Sequence, residues 1–462
     1  MKPPLKHVPE LLAPAGNMEK LETAVRYGAD AVYLGGGSLN LRAGAHGFSF
    51  EELPDALAIC REAKVKAYFT LNAMPREDML PAVNDYLDKL DELRPDGIIA
   101  SDPGVIAMIR RKLPWAAIHV STQANTCNSE SVRFWKEFGA ARVNVAREVR
   151  SQELLQMLAV CRREMRDMQL EVFVHGAQCM AISGRCYMSA YLNDRPGNLG
   201  QCSHPCRYEY RPMTISVEEA TRPGEDCWVV QEYKYSDEGD TFTFDEDDAD
   251  DFTFHTEPDG PAAEPPLTIG AATGGHTTFF AAQDLCLLHY LEWFSRMGVA
   301  SVKLEGRGKS SAYLAQVVDA YRTALDHIRS GEFRPEQYLG DLVNAASRPL
   351  TTGFFDPDRY APIAVPPDKD EKRPVLARVL HVNANGSWTI EVKSRWESSR
   401  EVEIMVPGLI RPRIGPEDYG LENEMGVGLD VAHPGMRCRL YCEHPEIGKN
   451  LFIRAAWGLD VE

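Results

Sequence analysis

Four cysteines are the residues of this 462-residue chain whose types and spacing point most directly to chemistry. Cys179, Cys186, Cys202 and Cys206 follow the pattern C-x6-C-x15-C-x3-C. Zinc sites usually use closely spaced pairs of ligands, and only the last pair here is that close. An iron–sulfur cluster also needs four thiolates but tolerates wider loops, because it is larger than one ion. The spacing favours a cluster and leaves a structural zinc site, two disulfides or four unconnected buried thiols as alternatives.

A second group of candidates consists of polar residues at the ends of predicted strands. Repeating units of apolar strand and helix predict eight strands. They are Glu10–Gly16, Ala31–Gly36, Lys66–Ala73, Gly97–Pro103, Ala117–Ala124, Arg142–Glu148, Leu170–Ala177 and Ala300–Gly306. Continuous apolar runs are typical of parallel strands that are covered on both faces. The strands are separated by segments with helical periodicity, such as 17–27, 151–165 and 311–329.

This alternation predicts an α/β fold, a TIM-like (β/α)8 barrel, with an open doubly wound sheet as the alternative. The strand ends favour the barrel, because its strands converge on one catalytic rim. From these positions we predict catalytic roles for His175, Arg147, Glu148 and Glu305, and substrate binding by Asn72, Gln123, Lys303, Arg307 and Arg185. His175 is a candidate for proton transfer near neutral pH. The alternative for any one of them is a purely structural role as a helix cap or a loop residue or, for Glu305, as the ion-pair partner of Lys303.

The chain divides into three predicted regions. Residues 1–330 form the barrel domain, with the cysteine segment and an acidic insertion at about 212–266 between strands 7 and 8. Residues 331–371 are interpreted as a linker rich in proline and charge. Alternating residues around an Asn385–Gly386 turn predict a small C-terminal β-barrel domain at 372–462.

The net charge of −18 is concentrated in the insertion. Residues 216–264 contain 17 acidic and two basic residues, so the rest of the chain is nearly neutral. The run DEDDADD at 245–251 is interpreted as a solvated segment, or alternatively as an acidic lid that repels or mimics nucleic acid. No stretch is long and apolar enough to span a membrane, and no signal peptide is evident, so we expect a cytoplasmic protein. Its oligomeric state is left open by the sequence.

Basic residues recur around the cysteines and after the eighth strand. Residues 179–211 contain four arginines, and Lys303, Arg307 and Lys309 follow in the eighth strand and its loop. If both groups reach the barrel mouth, the site is positive and suits an anionic ligand. The alternative is that the arginines offset cluster charge or form surface ion pairs.

The motifs of this chain resemble those of the collagenase-like peptidase (U-32) family along nearly its whole length. The matching stretches are ELLAPAG, YGADAVYLGG, SDPGVI, HVSTQAN, FVHGAQCMAISGRC, QCSHPCR, QDLCLL, VKLEGRGKS and TTGFF. The C-terminal domain and the segment RPGEDCWVV are similar to the branch that acts in tRNA hydroxylation. Other branches hydroxylate ribosomal RNA or a quinone precursor.

The resemblance implies a 4Fe–4S cluster on Cys179, Cys186, Cys202 and Cys206. It also implies an iron–sulfur-dependent tRNA hydroxylase that forms 5-hydroxyuridine at the wobble position, with prephenate as the oxygen donor. tRNA and iron–sulfur assembly proteins are the partners that this function implies. With prephenate as the co-substrate, the positions of Lys303 and Arg307 at the end of the eighth strand make them the residues that we expect to hold its two carboxylates.

Two other functions follow from the same residues. The family label of peptidase is one, but the chain has neither an HExxH zinc motif nor a G-x-S-x-G elbow. His175 lies four residues before Cys179, so a cysteine–histidine pair is conceivable only if Cys179 is not a metal ligand. The second alternative is a non-catalytic binding protein in which the cluster is only structural. Such a protein would not need a polar barrel rim.

Overall fold

The computed structural model describes most of the chain. The described residues are 5, 7–36, 39, 47–179, 181–182, 185–215, 227–235, 283–356, 362–364, 372–442 and 448–456. The acidic run at 245–251 therefore lies outside the described residues.

Eight parallel strands form a closed barrel, which confirms the predicted fold class. They are β1 (Glu10–Pro14), β2 (Ala31–Leu34), β3 (Lys66–Leu71), β4 (Gly97–Ala100), β5 (Ile118–Val120), β6 (Arg142–Asn144), β7 (Gln169–Ala177) and β11 (Ser301–Leu304). Neighbours in sequence pair in parallel, and β11 closes the ring by pairing with both β1 and β7. The open doubly wound alternative is therefore wrong.

Helices cover the outside of the barrel. They are α1 (Met18–Arg26), α2 (Leu53–Ala63), α3 (Leu80–Leu93), α4 (Pro103–Lys112), α5 (Ser129–Glu137), α6 (Ser151–Glu164), α8 (Leu291–Met297) and α9 (Ser311–Ser330). Asn17 caps α1 by accepting a hydrogen bond from the amide of Lys20, as its position before an apolar stripe predicts. The apolar side chains between strands and helices form one large core.

Strand β7 extends beyond the ring at its carboxyl end. Its last residues pair antiparallel with β10 (Asp284–Cys286), which in turn pairs in parallel with β12 (Leu350–Thr351). Between β7 and β10 lie a short helix α7 (Met188–Asn193) and a hairpin of β8 (Tyr208–Ile215) and β9 (Cys227–Tyr235). The segment 331–371, interpreted from sequence as a linker, contains helix α10 (Glu336–Ala345) and β12.

The C-terminal domain is a curled antiparallel sheet that forms a half-barrel. Its strands, in spatial order, are β17 (Arg413–Ile414), β16 (Val402–Met405), β21 (Phe452–Ala455), β13 (Val375–Val382), β14 (Trp388–Val392), β20 (Arg437–Cys442) and β18 (Tyr419–Asn423). A small ladder of β15 (Trp396–Glu397) and β19 (Val431–Ala432) adds to it. β13 and β14 form the hairpin predicted from Asn385–Gly386, and Gly386 has the positive φ (82°) that such a turn requires.

The half-barrel packs against the outer helices of the barrel. The hydroxyl of Tyr27, at the end of α1, donates to the carbonyl of Met405 at 2.8 Å. Asp319 on α9 accepts from the backbone amide of Gly408 at 2.7 Å. These contacts place the C-terminal domain on α1 and α9.

No helix in the described ranges is long and apolar enough to cross a membrane.

Candidate active site

The last residues of β7 and β11 are held together by a close backbone approach at Gly176. Its φ is +106°, and an added Cβ would lie 2.9 Å from the carbonyl oxygen of Glu305. The amide of Glu305 donates to the carbonyl of His175 at 2.9 Å. Only glycine fits this conformation and this space. The HGA motif (175–177) and the LEG motif (304–306) therefore meet at the barrel mouth through direct backbone contacts.

The lumen of the barrel contains an ion-pair network rather than a wholly apolar core. Arg142 on β6 reaches across to Glu10 on β1 at 2.6 Å and contacts Glu171 on β7 at 3.3 Å. Lys303 on β11 donates to the other oxygen of Glu171 at 3.2 Å. The hydroxyl of Tyr68 on β3 donates to Glu10. Side chains from five strands therefore meet across the lumen.

The ionisation of this network follows from burial and neighbouring charges. Burial acts to raise the pKa of Glu171, but Lys303 and Arg142 together outweigh it and hold that pKa below its usual value. Burial lowers the pKa of Lys303, and Glu171 opposes that effect. Both partners are nearly inaccessible to solvent, with Lys303 4% exposed and Glu171 2% exposed. Lys303 and Glu171 therefore form a buried ion pair beneath the mouth of the barrel.

Lys303 and Arg307, both predicted to bind substrate, approach the ring of Tyr33. Lys303 Nζ is 4.5 Å and Arg307 Cζ is 5.8 Å from the centroid of the Tyr33 ring. Arg307 also donates to Thr70 Oγ1 at 2.9 Å. The carbonyl of Arg307 approaches Gly16 so closely that a Cβ there would lie 2.5 Å from it. The ELLAPAG and EGRGK motifs thus fix the position of the second cation.

Other predicted residues surround the same mouth. The Arg147 guanidinium lies 4.1 Å from the centroid of the Phe173 ring, which Lys303 also faces at 5.3 Å. Glu148 is half-buried, and its Oε2 has no hydrogen-bond partner among the described residues. Asn72 Nδ2 lies 3.4 Å from Ser121 Oγ. Gln123 is half-buried after β5.

His175 occupies a different environment. It is 1% exposed, and its ring packs against Tyr313 and Tyr321 of α9 at centroid distances of 6.2 and 5.5 Å. Burial lowers the pKa of His175 to about 4, against the opposing charges of Asp284 and Glu305. Glu305 is also buried, at 9% exposed. The structure therefore separates the His175 ring from the cations of the lumen.

The cysteine segment crosses the mouth. It starts at the end of β7, and the carbonyl of Asn198 within it accepts from the amide of Met74, just after β3, at 3.2 Å. In the ring of eight strands β3 and β7 are opposite each other. The side chain of Gln178 packs on Gly353 of the TTGFF motif, where an added Cβ would lie 2.5 Å away. The segment is therefore fastened on both sides of the barrel.

Hydrogen bonds within the segment hold its cysteines in place. Ser189 Oγ donates to the carbonyl of Arg195 at 2.7 Å and accepts from the amide of Ser203 at 2.9 Å. The amide of His204 donates to Cys202 Sγ at 3.4 Å. Such N–H···S bonds are among the features that tune an iron–sulfur cluster.

The four predicted cysteine ligands lie near one another. Burial is the main cause that raises the pKa of Cys206 to about 11; Arg207 acts to lower this pKa, and the charges of Cys179, Cys202 and Cys186 act to raise it. A thiol with this pKa ionises readily only when a metal binds it. Among the described residues, no group of three or more His, Cys, Asp or Glu side chains converges as around a single ion. Cys206 interacts electrostatically with the other three cysteines, and four thiols are the donor set that a 4Fe–4S cluster requires.

Sequence reasoning missed the residues inside the lumen. Glu10, Arg142 and Glu171 face it from the start or middle of their strands, and Asn144 is the last residue of the three-residue strand β6. A polar residue stands at every second position, as in RVN at 142–144, but a run of three residues is too short to identify a strand face. That alternation marks the lumen-facing side of a barrel strand.

A closed barrel with a polar lumen, crossed at its mouth by a segment that carries four cysteines, defines the class of (β/α)8 protein to which this chain belongs. A family model described as Peptidase family U32 matches residues 16–362. The chain belongs to this family.

Three curated relatives have names that concern RNA. The tRNA hydroxylation protein P of Escherichia coli is 32% identical over 452 residues, covering 92% of each chain. The tRNA hydroxylation protein P1 of Bacillus subtilis is 34% identical, covering 75% of this chain and 71% of the relative. The 23S rRNA 5-hydroxycytidine C2501 synthase of Escherichia coli is 31% identical over 44% of this chain and 30% of the relative.

Proposed function

We propose that this protein is an RNA-modifying hydroxylase whose substrate is tRNA. The observation that carries the proposal is similarity over 92% of the chain to a protein named for tRNA hydroxylation. Within this class we infer that it forms 5-hydroxyuridine at the wobble position, with prephenate as the oxygen donor.

The four cysteines are the proposed ligands of a 4Fe–4S cluster. Cys179, Cys186, Cys202 and Cys206 come from one segment fastened across the mouth, and their thiols interact electrostatically. When bound there, a cluster supplies a redox-active iron centre at the mouth. The amide of His204 and the buried guanidinium of Arg207 would stabilise the negative charge of the ligand sulfurs.

Lys303 and Arg307 are the proposed holders of a small anionic co-substrate. The two cations converge on the Tyr33 ring, and the surrounding protein excludes most water. Low dielectric surroundings strengthen the attraction of an anion to buried cations. Arginine also presents paired donors that suit a carboxylate. This arrangement fits the carboxylates of prephenate.

The outer surface of the cysteine segment suits a single-stranded nucleic acid. Tyr187 and Tyr191 are 74% and 71% exposed, and they lie one helical turn apart, since the amide of Tyr191 donates to the carbonyl of Tyr187. Exposed Arg185 and Arg195 lie in the same segment. Aromatic rings next to arginines are the usual platform for unstacked bases of RNA. A wobble nucleotide in an anticodon loop is such a base.

Proteolysis has less support from the positions of the residues. A cysteine–histidine pair would need His175 to face the thiol of Cys179 at the mouth. The ring of His175 instead contacts Tyr321, whose hydroxyl lies 3.4 Å from His175 Nδ1. Its low pKa also leaves it a weak base at neutral pH.

Metal content tests the cluster. Anaerobically purified protein is expected to contain about four irons and four sulfides per chain, the composition of one cubane cluster. Cys202→Ser should lower both by removing a ligand. Cys127→Ser is the matched control, because Cys127 is an exposed thiol outside the cysteine segment. One zinc per chain, or iron content unchanged in Cys202→Ser, would exclude the proposed cluster.

Nucleoside mass spectrometry of bulk tRNA tests the reaction. A strain that lacks the protein should lose wobble 5-hydroxyuridine, and the normal chain should restore it. Cys179→Ala and Lys303→Ala should not restore it, because the first removes a cluster ligand and the second a lumen cation. Restoration by both variants would place the chemistry elsewhere. Failure of the normal chain to restore the nucleoside would leave ribosomal RNA, a quinone precursor, a peptide or a non-catalytic role as the alternatives.

A further inference from the structure

The TTGFF motif (351–355) forms a turn at the rim of the barrel mouth. It leads out of β12, which is joined to the extended end of β7 through β10. The amide of Ser151, the first residue of α6, donates to the carbonyl of Phe355 at 2.9 Å. On the other side, the side chain of Gln178 packs on Gly353, and Gln178 directly precedes Cys179. The turn therefore lies between the loop after β6 and the start of the cysteine segment.

Contacts within the protein hold this turn in one conformation. Gly353 has a φ of +58°, which glycine adopts without strain. The hydroxyl of Thr352 donates to the carbonyl of Asp356 at 2.6 Å, and the hydroxyl of Tyr290 donates to the Asp356 carboxylate. Phe355 is 4% exposed and packs among aromatic rings, of which Tyr290 is the nearest at 4.9 Å between centroids. The backbone on both sides of Phe354 is therefore fixed.

Phe354 itself is turned towards solvent. Its side chain is 51% exposed, and within the described ranges its ring stacks on no other aromatic ring and faces no cation. A single exposed apolar residue is common on protein surfaces. Here, however, a rigid turn holds the ring beside the segment that carries the four cysteines. A ring that is already held in place loses little conformational entropy when a ligand contacts it.

Arg147 places a positive charge next to this turn. Arg147 and Phe355 line the same small cavity, together with Phe173. The guanidinium of Arg147 lies over the Phe173 ring, and Arg147 has no ion-pair partner in the part of the chain that the structure describes. An exposed ring beside such a guanidinium suits a nucleotide, because the ring can stack on the base and the cation can meet a phosphate. An apolar protein surface would have no use for the charge.

We propose that Phe354 stacks on an unpaired base of the RNA substrate and holds that base beside the cysteine segment, with Arg147 facing an adjoining phosphate. This inference rests on the proposed function and deepens it by assigning a base-binding residue. Tyr187 and Tyr191 belong to the cysteine segment, whereas Phe354 belongs to the turn after β12. The RNA is then held from two separate parts of the chain, as loop bases splayed onto aromatic side chains commonly are.

Fluorescence anisotropy with a labelled anticodon stem–loop RNA tests the assignment on the anaerobically purified full chain. Phe354→Ala should weaken binding roughly 5- to 150-fold, the loss expected when one base no longer stacks. Phe354→Tyr keeps an aromatic ring and should bind nearly as well as the unsubstituted protein. Phe134→Ala is the matched control, because Phe134 is 52% exposed on α5, away from the turn and the cysteine segment, and should leave the affinity unchanged.

Photo-crosslinking of the unsubstituted protein gives an independent readout that does not depend on the folding of any variant. A 5-iodouridine placed at one loop position at a time bonds, with loss of iodide, to an aromatic ring that is stacked on it under ultraviolet light. Mass spectrometry of the digested complex should find the adduct on Phe354 for at least one loop position.

The outcomes separate the inference from the function on which it rests. Unchanged affinity of folded, iron-containing Phe354→Ala, an equal loss in Phe134→Ala, or no adduct on Phe354 from any loop position would overturn the inference and leave the tRNA hydroxylase proposal standing. Failure of the unsubstituted protein to bind either the stem–loop or full-length tRNA would overturn both. Weakened binding by Phe354→Ala, retained binding by Phe354→Tyr and an adduct on Phe354 would support the assignment.

Discussion

The barrel lumen is lined by charged and amide side chains, among them Arg142, Asn144 and Lys303. Lys303 and Arg307 were expected at the mouth because they lie in and just after the last barrel strand, and the structure brings them together over Tyr33. Arg142 and Asn144 belong to a strand of only three residues. A period of two cannot be recognised over so short a run, so a polar lumen was hidden within strands that were expected to be buried and apolar.

His175 illustrates a different limit of sequence reasoning. Its place near the end of β7 predicted a rim residue able to transfer protons near neutral pH. Whether its ring faces the lumen or the helices depends on a register shift between β7 and β11 at Lys303 and Leu304. No pattern in the sequence specifies such a shift. The ring packs on α9, where burial keeps it neutral.

The low pKa of His175 predicts a pH dependence of stability. Its pKa is about 4 in the folded state and near 6.5 when unfolded, so the unfolded chain binds the proton more tightly. The contribution is therefore complete above pH 6.5 and declines as pH falls towards 4, with a loss of about 2 kcal/mol by pH 5. The melting temperature of His175→Gln should accordingly fall less between pH 7.5 and pH 5 than that of the unsubstituted protein.

The control for this prediction is His433→Gln, which changes an exposed histidine of the C-terminal domain. Its melting temperature should follow that of the unsubstituted protein at every pH. Parallel pH profiles for His175→Gln and the unsubstituted protein would show that the His175 ring is not buried in the neutral form.

At the scale of elements, the barrel strands were predictable because each combines an apolar run with a following helical period. Strand β10 was not predictable, because it has three residues and its position depends on its partner. That partner is the part of β7 that extends past β6, where unpaired backbone groups would otherwise remain. Helix α10 was missed because proline and charge dominate the surrounding segment, although Tyr338 and Leu342 on one face are fully buried.

The contact between α9, α10 and the C-terminal sheet contains a buried charge network. Arg454 is 0% exposed and donates to Glu403 at 2.7 Å, to Asp341 at 2.6 Å and to Gln316 at 2.9 Å. Arg411 bridges Asp319 and Asp341 at 2.6 and 2.8 Å. The carboxylates from α9 and α10 are thus neutralised by arginines of the C-terminal domain. The two domains share one electrostatic interface, although the sequence predicted a linker between them.

Removing Arg454 should strongly destabilise this interface. In Arg454→Met, buried Glu403 and Asp341 lose their principal partner, and breaking a buried ion pair costs about 3–5 kcal/mol. Arg413→Met is the matched control in the same sheet, because Arg413 is exposed and lies 3.8 Å from Glu401, a pair worth about 0–1 kcal/mol. Thermal unfolding should show a loss of several degrees for Arg454→Met and little change for Arg413→Met. Equal losses in the two variants would mean that the network contributes no more than a surface pair.

At the scale of the whole molecule, charge is divided between two parts of the chain. Most of the net charge of −18 comes from the 17 acidic residues of 216–264, whereas the cysteine segment exposes Arg185 and Arg195 above the buried cations Lys303 and Arg307. The overall composition therefore argues against nucleic-acid binding, while the exposed arginines of the cysteine segment favour it. Sequence alone could separate these regions, but the convergence of the mouth residues required the fold.

This division predicts opposite effects of two sets of substitutions on tRNA binding. Replacing the six acidic residues of 245–251 by their amides removes six negative charges from the chain and should tighten binding at low salt. The gain should shrink as salt rises, because screening weakens the repulsion. Tyr187→Ala with Tyr191→Ala should weaken binding at all salt concentrations, since the lost stacking is worth about 1–3 kcal/mol per base.

Fluorescence anisotropy with labelled tRNA at 50 and 300 mM salt would measure both effects. Phe134→Ala is a matched control for the tyrosines, because Phe134 is a half-exposed aromatic on α5, outside the cysteine segment. The unsubstituted protein should itself lose affinity as salt rises, because its cations displace counterions from the RNA backbone. A tyrosine variant that binds like Phe134→Ala would move the RNA away from the cysteine segment. If tRNA binding does not weaken with salt in any of these proteins, the exposed arginines of the cysteine segment, Arg185 and Arg195, do not contact the RNA backbone.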